Sequence, residues 1–227
     1  MKKIFYSELA YVLGLITLAF GCAFMEKADF GLSMVVAPAY ILYLKLSEIW
    51  SFITFGMMEY LLQAVLLILM IIAMRRFKIS YLFSFVTAVI YGYTLNGTLA
   101  IVGLFGEVGI VGRIIMFCLG MVLCSVGVAC MIHTYLSPEV YELIVKEIPD
   151  RFNLNLTKFK TVYDCVSCLV SEIMSFCFFG LWPFEGVKLG TAVCALVNGF
   201  LIGRISTFMA NRFEFKDALP LRKFFEK

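Results

Sequence analysis

Two stretches of the sequence share a pattern of glycines, and this duplication constrains the fold more than any other feature. Gly14 and Gly21 lie seven residues apart in the first apolar segment, and Gly120 and Gly127 repeat that spacing in the fourth. The stretches read GLITLAFGCAFM and GMVLCSVGVACM. The downstream matches, in chain order, are Leu32-Ser33 with Leu136-Ser137, Glu59 with Asp164, and Gly92-Tyr93 with Gly199-Phe200.

The composition places these segments in a membrane. Of the 227 residues, 62% are hydrophobic and 15% are charged, whereas soluble proteins average about 45–50% and about 25%. The mean hydropathy is +0.95. Because about 20 apolar residues cross a bilayer as a helix, six spans are predicted, at 5–25, 50–74, 80–103, 112–132, 158–182 and 189–210.

We therefore predict an all-α, polytopic membrane protein in which residues 1–227 form a single membrane domain. Residues 5–103 and 112–210 are its two repeats, with three spans each, and residues 211–227 are a tail. Because three is odd, the second repeat enters the membrane in the opposite orientation. Inverted repeats of this kind are frequent in secondary transporters, with the binding site near the membrane midplane between them.

Basic residues predict the orientation. They cluster before the first span, between the second and third spans, and after the last span, at Lys2, Lys3, Arg75, Arg76, Lys78, Arg212, Lys216, Arg222, Lys223 and Lys227. The positive-inside rule then predicts an inner (plasma) membrane protein with both termini and the tail in the cytoplasm. The tail is interpreted as a membrane anchor, so no nucleic-acid partner is expected. The first span is expected to be retained, because it is half of the duplicated unit.

Each repeat also contains a short helix after its first span. Ser137, Pro138 and Glu139 are typical of a helix start, with serine as the cap and proline at the first helical position. In the first repeat, residues 35–46 follow Ser33 and contain Pro38. Such helices are too short to cross a hydrocarbon core of about 30 Å. The sequence leaves open whether they lie on the membrane or re-enter it.

Ionisable groups inside spans are costly and are therefore candidates for function. Glu59, with Gln63 one turn further, lies in the second span, and Asp164 and Glu172 lie in the fifth. Under inverted topology, Glu59 and Asp164 would flank the midplane and suit a cation or a proton-coupled site. The alternative is structural: a protonated acid hydrogen-bonded to a neighbouring helix, or a salt bridge to Lys160 or Arg204.

The remaining polar candidates lie in the sixth span and after the first. Asn198 is central in its span, and Asp29 and Ser33 mark the break after the first span, where Asp29 could help to cap the short helix. Gly199 and Gly203 have G-x-x-x-G spacing, which is interpreted as close helix packing. The eight cysteines lie in predicted spans and are expected to be free packing residues, including the C-x-x-C pair of the fifth span.

No motif for catalysis, a cofactor or a metal ion occurs, so no enzymatic activity is expected. The run from Lys27 to Ser33 (KADFGLS) is similar to the A-D-x-G-x-S signature of the YczE/YyaS/YitT-like bacterial membrane proteins. Thr54-Phe-Gly56, Gln63, Arg76-Phe-Lys78, Lys160-x-x-x-Asp164 and Gly190-Thr191 extend the resemblance over nearly the whole chain. That family largely lacks an assigned activity, so the resemblance implies the topology and not a substrate.

Two functions are compatible with these features. The first is a small-molecule or ion transporter or exporter, which predicts a midplane cavity reached by Glu59 or Asp164. The second is a non-transporting scaffold or a substrate-capture subunit, which predicts an exposed groove of small residues facing the membrane. The expected partners are the lipid bilayer, a small molecule or ion, and either further copies of the chain or a partner subunit.

Overall fold

The computed structural model describes residues 3–180, 188–220 and 222. This part of the chain forms eight helices and two short strands. In chain order they are β1 (Lys3–Tyr6), α1 (Ser7–Ala28), α2 (Ala37–Ser47), α3 (Phe55–Met74), α4 (Ile79–Gly103), α5 (Ile110–Ile132), α6 (Val140–Phe152), α7 (Leu156–Phe179), α8 (Leu189–Arg212) and β2 (Phe213–Lys216). Elements β1 to α4 form the first half of the molecule, and α5 to β2 form the second half.

Six helices are long and apolar enough to cross a membrane, namely α1, α3, α4, α5, α7 and α8. They match the six predicted spans to within five residues at each end where the structure describes the chain. The end of the predicted fifth span, residues 181–182, lies outside the described residues. The chain is therefore a multi-pass, all-helical membrane protein.

Helices α1 and α5 form the centre, and their glycines explain why. A Cβ at Gly14 would lie 3.0 Å from the Gly127 carbonyl oxygen, and one at Gly21 would lie 2.7 Å from that of Gly120. These two contacts run in opposite order along the two helices, so α1 and α5 are antiparallel. Small residues allow this close backbone approach, which is how helices gain packing energy in lipid.

The α3–α4 pair of the first half is held in a similar way. The backbones of Gly56 and Gly92 approach so closely that a Cβ on Gly56 would overlap the Gly92 carbonyl oxygen. Asn96 of α4 accepts a 2.9 Å hydrogen bond from the Gly56 N–H and donates a 2.9 Å bond to the Thr54 hydroxyl. That hydroxyl in turn accepts from the Met57 N–H and caps α3. The start of α3 is therefore fixed to the end of α4.

The two short helices begin inside the bundle. Glu139, just before α6, hydrogen-bonds Gln63 near the middle of α3, whereas Glu147 further along α6 pairs with Lys78 in the turn that joins α3 to α4. Helix α6 thus runs from the middle of the bundle to one end. The residues before α2 line a central cavity, and Tyr43 stacks on Phe55 at the other end. Both segments re-enter the bundle, from opposite ends.

Two predicted caps are wrong. Helix α6 begins at Val140 rather than Pro138, and Ser137 does not cap it, since the N-cap position is taken by Glu139. Asp29 does not cap α2. It is the left-handed C-cap of α1, with φ 56°, and its carboxylate forms ion pairs with Arg113 and Lys188. In both places contacts between distant segments override the local capping signal.

The termini lie together at one end of the molecule. The strands β1 and β2 pair in parallel, with Lys3 opposite Phe213 and Tyr6 opposite Lys216. Glu8 accepts hydrogen bonds from the backbone N–H groups of Ala218 and Leu219. The predicted tail is therefore partly structured: its first residues end α8 and form β2. Residues 221 and 223–227 lie outside the described part.

The packing of one half largely recurs in the other. Helix α1 packs on α4 and α5 packs on α8, while α2 contacts α3 and α7, and α6 contacts α7 and α3. Two pairs differ. Helices α7 and α8 make little contact whereas α3 and α4 are tightly packed, and α4 contacts α6 whereas contact between α8 and α2 is at most weak. Among the described residues, a Cβ at Gly199 or Gly203 would meet nothing within 4 Å. The predicted packing role of these glycines is therefore wrong within this chain.

Candidate functional site

A cavity of about 70 Å³ lies between the two halves. It is lined by the middle of α1 and α5, the chain segment before α2, the start of α6, and the inner faces of α7 and α8. A single water needs about 10–15 Å³ on the same measure, so the space suits a small molecule. Its polar lining residues are Ser33, Tyr91, Glu139, Tyr141, Glu142, Lys160, Asp164 and Asn198.

Gln63 connects the cavity wall to α3. Its side-chain NH₂ donates to Glu139 Oε2 at 3.0 Å, and its Oε1 accepts from the Val140 N–H at 3.0 Å. Gln63 therefore caps α6 from another helix, which replaces the cap predicted for Ser137. The same NH₂ lies 3.5 Å from Glu59 Oε1, one turn back along α3. The Gln63 amide thus links the carboxyl group of Glu59, which is fully buried, to that of Glu139, which is 2% exposed.

Several buried oxygen atoms around this amide have no hydrogen-bond partner among the described residues. They are Glu59 Oε2, Glu139 Oε1, Glu142 Oε2 and the Tyr141 hydroxyl. Tyr141 lies close enough to Glu59 to interact electrostatically, without reaching hydrogen-bond geometry. Native proteins rarely leave buried polar atoms unpaired, and such groups call for an explanation.

The start of α6 favours neutral carboxyl groups. Burial raises the pKa of Glu139 well above its ordinary value of 4.5, and the carboxyls of Glu142 and Glu59 raise it further, while the Gln63 hydrogen bond lowers it. Burial also raises the pKa of Glu142, against the lowering effect of the Lys160 ammonium. Without a bound cation, burial and the neighbouring carboxyl groups therefore favour the protonated form of Glu139.

Within the described part of the chain, helix α7 supplies the only cationic side chain that lines the cavity. Lys160 Nζ lies 2.8 Å from Asp164 Oδ1, one helical turn away, and both border the cavity. This is the salt bridge that the structural alternative for Asp164 predicted. It does not exclude a binding role, because the Asp164 side chain remains 18% exposed and lines the space.

Most of the residues predicted for the site lie together. Ser33, Asp164 and Asn198 line the cavity, and Glu59 and Gln63 lie behind Glu139. Asn198 also lies 3.5 Å from the Ser125 hydroxyl of α5, through its Oδ1. Glu59 is fully buried and does not itself line the cavity, so it contributes through Gln63 and Glu139.

Two predicted residues lie elsewhere. Glu172 is exposed on the outer surface of α7, because its position on the helix points away from α2 and α6. Asp29 lies at the end of α1, where it pairs with Arg113, 3.0 Å away, and with Lys188. It links the end of α1 to the starts of α5 and α8, away from the central cavity.

The sequence interpretation missed Glu139, Tyr141 and Glu142. From the sequence alone, Glu139 indicates only the start of a helix, and Glu142 follows it within the first turn. The available signal was the presence of two acids at the start of a short helix whose apolar residues are buried, Val140, Leu143 and Ile144. Because the apolar residues of α6 are buried, the acids next to them become buried too. Only the contact of Glu139 with Gln63 of α3 shows this.

The fold and the site define a multi-pass membrane protein with a cavity between its two halves that is lined by both apolar and polar side chains. Within the described residues, no three His, Cys, Asp or Glu side chains are grouped so as to hold a metal ion. Residues 5–207 match the family of unknown function DUF6198, so the chain belongs to that family. No curated protein and no solved structure matches the chain.

Proposed function

We propose that this protein is a small-molecule or ion transporter whose substrate binds in the cavity between the two halves. The observation that carries the proposal is Glu139, whose carboxyl is buried to all but 2%, lines the cavity and has one oxygen without a partner among the residues that the structure describes. An unpaired carboxyl oxygen at the middle of a membrane bundle is expensive, and a transported ligand is a common reason for it. No ATPase motif is present in the sequence, so transport would use an ion gradient or a partner.

We further propose that the two halves are inverted repeats. The antiparallel α1–α5 contact, the recurrence of packing between the halves, and the opposite entry of α2 and α6 all support this arrangement. It agrees with inner-membrane insertion, with both termini in the cytoplasm, and with a YczE/YyaS/YitT-like relationship. In inverted-repeat transporters the site is reached alternately from each side, as one half rocks against the other.

Ion pairs between the halves suit such a motion. At one end Asp29 of the first half pairs with Arg113 and Lys188 of the second. At the other end Lys78 pairs with Glu147 at 2.6 Å, and the Tyr81 hydroxyl donates to the same carboxylate at 2.9 Å. The charged side chains of both sets are partly exposed, so their ion pairs are inexpensive to break, whereas Tyr81 is fully buried. We propose that the two sets open alternately.

Access from both sides can be tested without knowing the substrate. Glu139→Cys would be introduced into a chain whose native cysteines are replaced, and labelled with a membrane-impermeant cationic thiol reagent from either side of sealed vesicles. The transport proposal predicts labelling from both sides. Leu95→Cys, buried away from the cavity, is the matched control and should stay unlabelled. Protection of residue 139 from both sides would contradict the proposal.

A second candidate is a substrate-capture subunit or scaffold. It is favoured by the exposed small residues Ala192, Ala195, Gly199 and Gly203 along α8, which leave a face where another helix could approach closely. This candidate predicts labelling of Glu139→Cys from one side only. It also predicts that Gly203→Leu would disrupt a complex with a partner while leaving the isolated chain folded.

A further inference from the structure

Among the described residues, the central cavity offers more hydrogen-bond acceptors than there are donors to satisfy them. Glu139 Oε1 and Glu142 Oε2 are buried, belong to residues that border the cavity, and have no donor in the part of the chain that the structure describes. Leaving such an atom unpaired is costly, and more so for a charged group. A ligand that carries N–H donors would recover this cost at both oxygens.

The charge of the lining also favours a cation. Three carboxyl groups border the space, those of Glu139, Glu142 and Asp164, against the single ammonium of Lys160. Since that ammonium is paired with Asp164, neither Glu139 nor Glu142 forms an ion pair with it, and no other cation borders the cavity among the described residues. Each must therefore hold a proton or share an added positive charge, because isolated buried charges are very costly.

The rest of the wall suits an organic ion rather than a hydrated inorganic one. Two aromatic residues, Tyr91 and Tyr141, border the cavity together with apolar residues such as Met25 and Val36. Aromatic faces attract cations, most strongly when both are desolvated. The volume of about 70 Å³ accommodates a few heavy atoms.

We infer that the cavity binds a small organic cation with N–H donors, of the guanidinium or primary ammonium class, in exchange for a proton released from Glu139. The inference rests on the proposed transport function for its biological role, but the binding step is independent of it. The proton leaves the carboxyl for solvent, and the resulting carboxylate pairs with the bound cation. Guanidinium is the favoured probe because its planar array of donors can reach two carboxylates at once.

The proton is assigned to Glu139 because of the groups around it. Those that face it or share its cavity are Tyr11 and Cys22 from α1, Glu59 from α3, Tyr91 from α4, Cys124 from α5, Tyr141 and Glu142 from α6, and Lys160 and Asp164 from α7. The only cation among them is Lys160, already paired. Neutral Glu139 is thus the stable form of the empty site, and a bound cation reverses that preference.

Calorimetry on the purified full chain in lipid nanodiscs tests this inference. Guanidinium chloride would be titrated at millimolar concentration, with urea as the neutral probe of the same shape, in buffers that differ in ionisation enthalpy. We expect guanidinium to bind, urea not to bind, and about one proton to be released per cation near pH 7. Glu139→Gln and Glu142→Gln should each weaken binding by about tenfold or more, while Glu172→Gln, on the outer surface, should not.

Each alternative outcome has a defined meaning. Equal binding of urea, no binding of guanidinium to the wild-type chain, or unchanged binding in both cavity variants would overturn the inference. If Glu139→Gln does not fold, guanidinium binding by Glu142→Gln and the comparison of guanidinium with urea on the wild-type chain still test the inference. Binding as expected without access from both membrane sides would refute the transport proposal alone. Access from both sides without guanidinium binding would refute the cation inference alone.

Discussion

The pairs α3–α4 and α7–α8 occupy corresponding places in the two halves, yet one is tightly packed and the other open. The first is joined through Gly56, Gly92 and the hydrogen bonds of Asn96. Of the apolar stretches in α7 and α8, 11% of residues are buried, against 33% in α3 and 39% in α4. The difference indicates that α3 and α4 are rigidly packed on one side of the cavity, whereas α7 and α8 are loosely packed on the other.

The carboxyl groups differ in the same way. Glu59 is fully buried on the packed side and is tied to Gln63, whereas Asp164 on the open side is 18% exposed and neutralised by Lys160. Carboxyl groups held in place on the packed side, facing the loosely packed helices α7 and α8, suit the proposed binding and release of a ligand. Four predictions test this contrast, from the largest expected effect to the smallest.

The close contact between α3 and α4 should not tolerate a methyl group at Gly56. Gly56→Ala is expected to destabilise the protein by about 3 kcal/mol, since the new Cβ would overlap the Gly92 carbonyl and force the helices apart. Gly203→Ala, at an open position on α8, should change stability by less than about 1 kcal/mol. Thermal unfolding of both variants in detergent measures the difference, and equal losses would show that the two pairs are packed alike.

Gln63 should contribute more to the free energy of unfolding than Cys168, the residue at the matching place in the second half. Gln63→Leu removes the partner of the Val140 N–H and of Glu139 Oε2, leaving two buried groups unpaired at a cost of about 2 kcal/mol. Cys168→Leu, four residues after Asp164, should have little effect because Cys168 is half-buried. Comparable unfolding temperatures for the two variants would contradict the assigned capping role.

The empty protein should lose stability as the pH rises. Because burial raises the pKa of Glu139 and Glu142 above 4.5, the folded state binds more protons than the unfolded state above that pH. Each such proton contributes a loss of up to about 1.4 kcal/mol per pH unit. The loss should begin near pH 4.5, and Glu139→Gln should flatten it. An equal slope in wild type and variant would exclude Glu139 as the source.

The ion pairs of Asp29 should affect motion more than stability. Asp29→Asn weakens the links to Arg113 and Lys188, but the Asp29 side chain is 57% exposed, so the cost should stay below about 1 kcal/mol. Hydrogen exchange at the start of α8 is expected to rise, while exchange in α3 stays unchanged. A rise of the same size in both helices would show that the second half is not the looser one.

The sequence predicts the spans because hydropathy acts locally. It singles out four residues now found at or behind the cavity because polar groups are rare in spans, namely Glu59, Gln63, Asp164 and Asn198, and it singles out Ser33 because that residue marks the break after the first span. Glu139 was missed because its role depends on Gln63, a partner far away in the sequence. The strand pairing of Lys3–Tyr6 with Phe213–Lys216 joins the two ends of the chain, and four-residue segments give no adequate local signal. Gly199 and Gly203 carry a packing motif, but a motif does not specify that its partner lies within the same chain.

Exchange of a cation for protons across a membrane tests the central claim most directly. Vesicles containing the protein would be loaded with guanidinium, which stays charged and does not leak as a neutral base, and diluted into guanidinium-free buffer while an internal dye reports pH. The account predicts internal acidification with the wild-type chain and with Glu172→Gln, and none with Glu139→Gln. An unchanged internal pH with the folded wild-type protein, or acidification that Glu139→Gln does not affect, would contradict it.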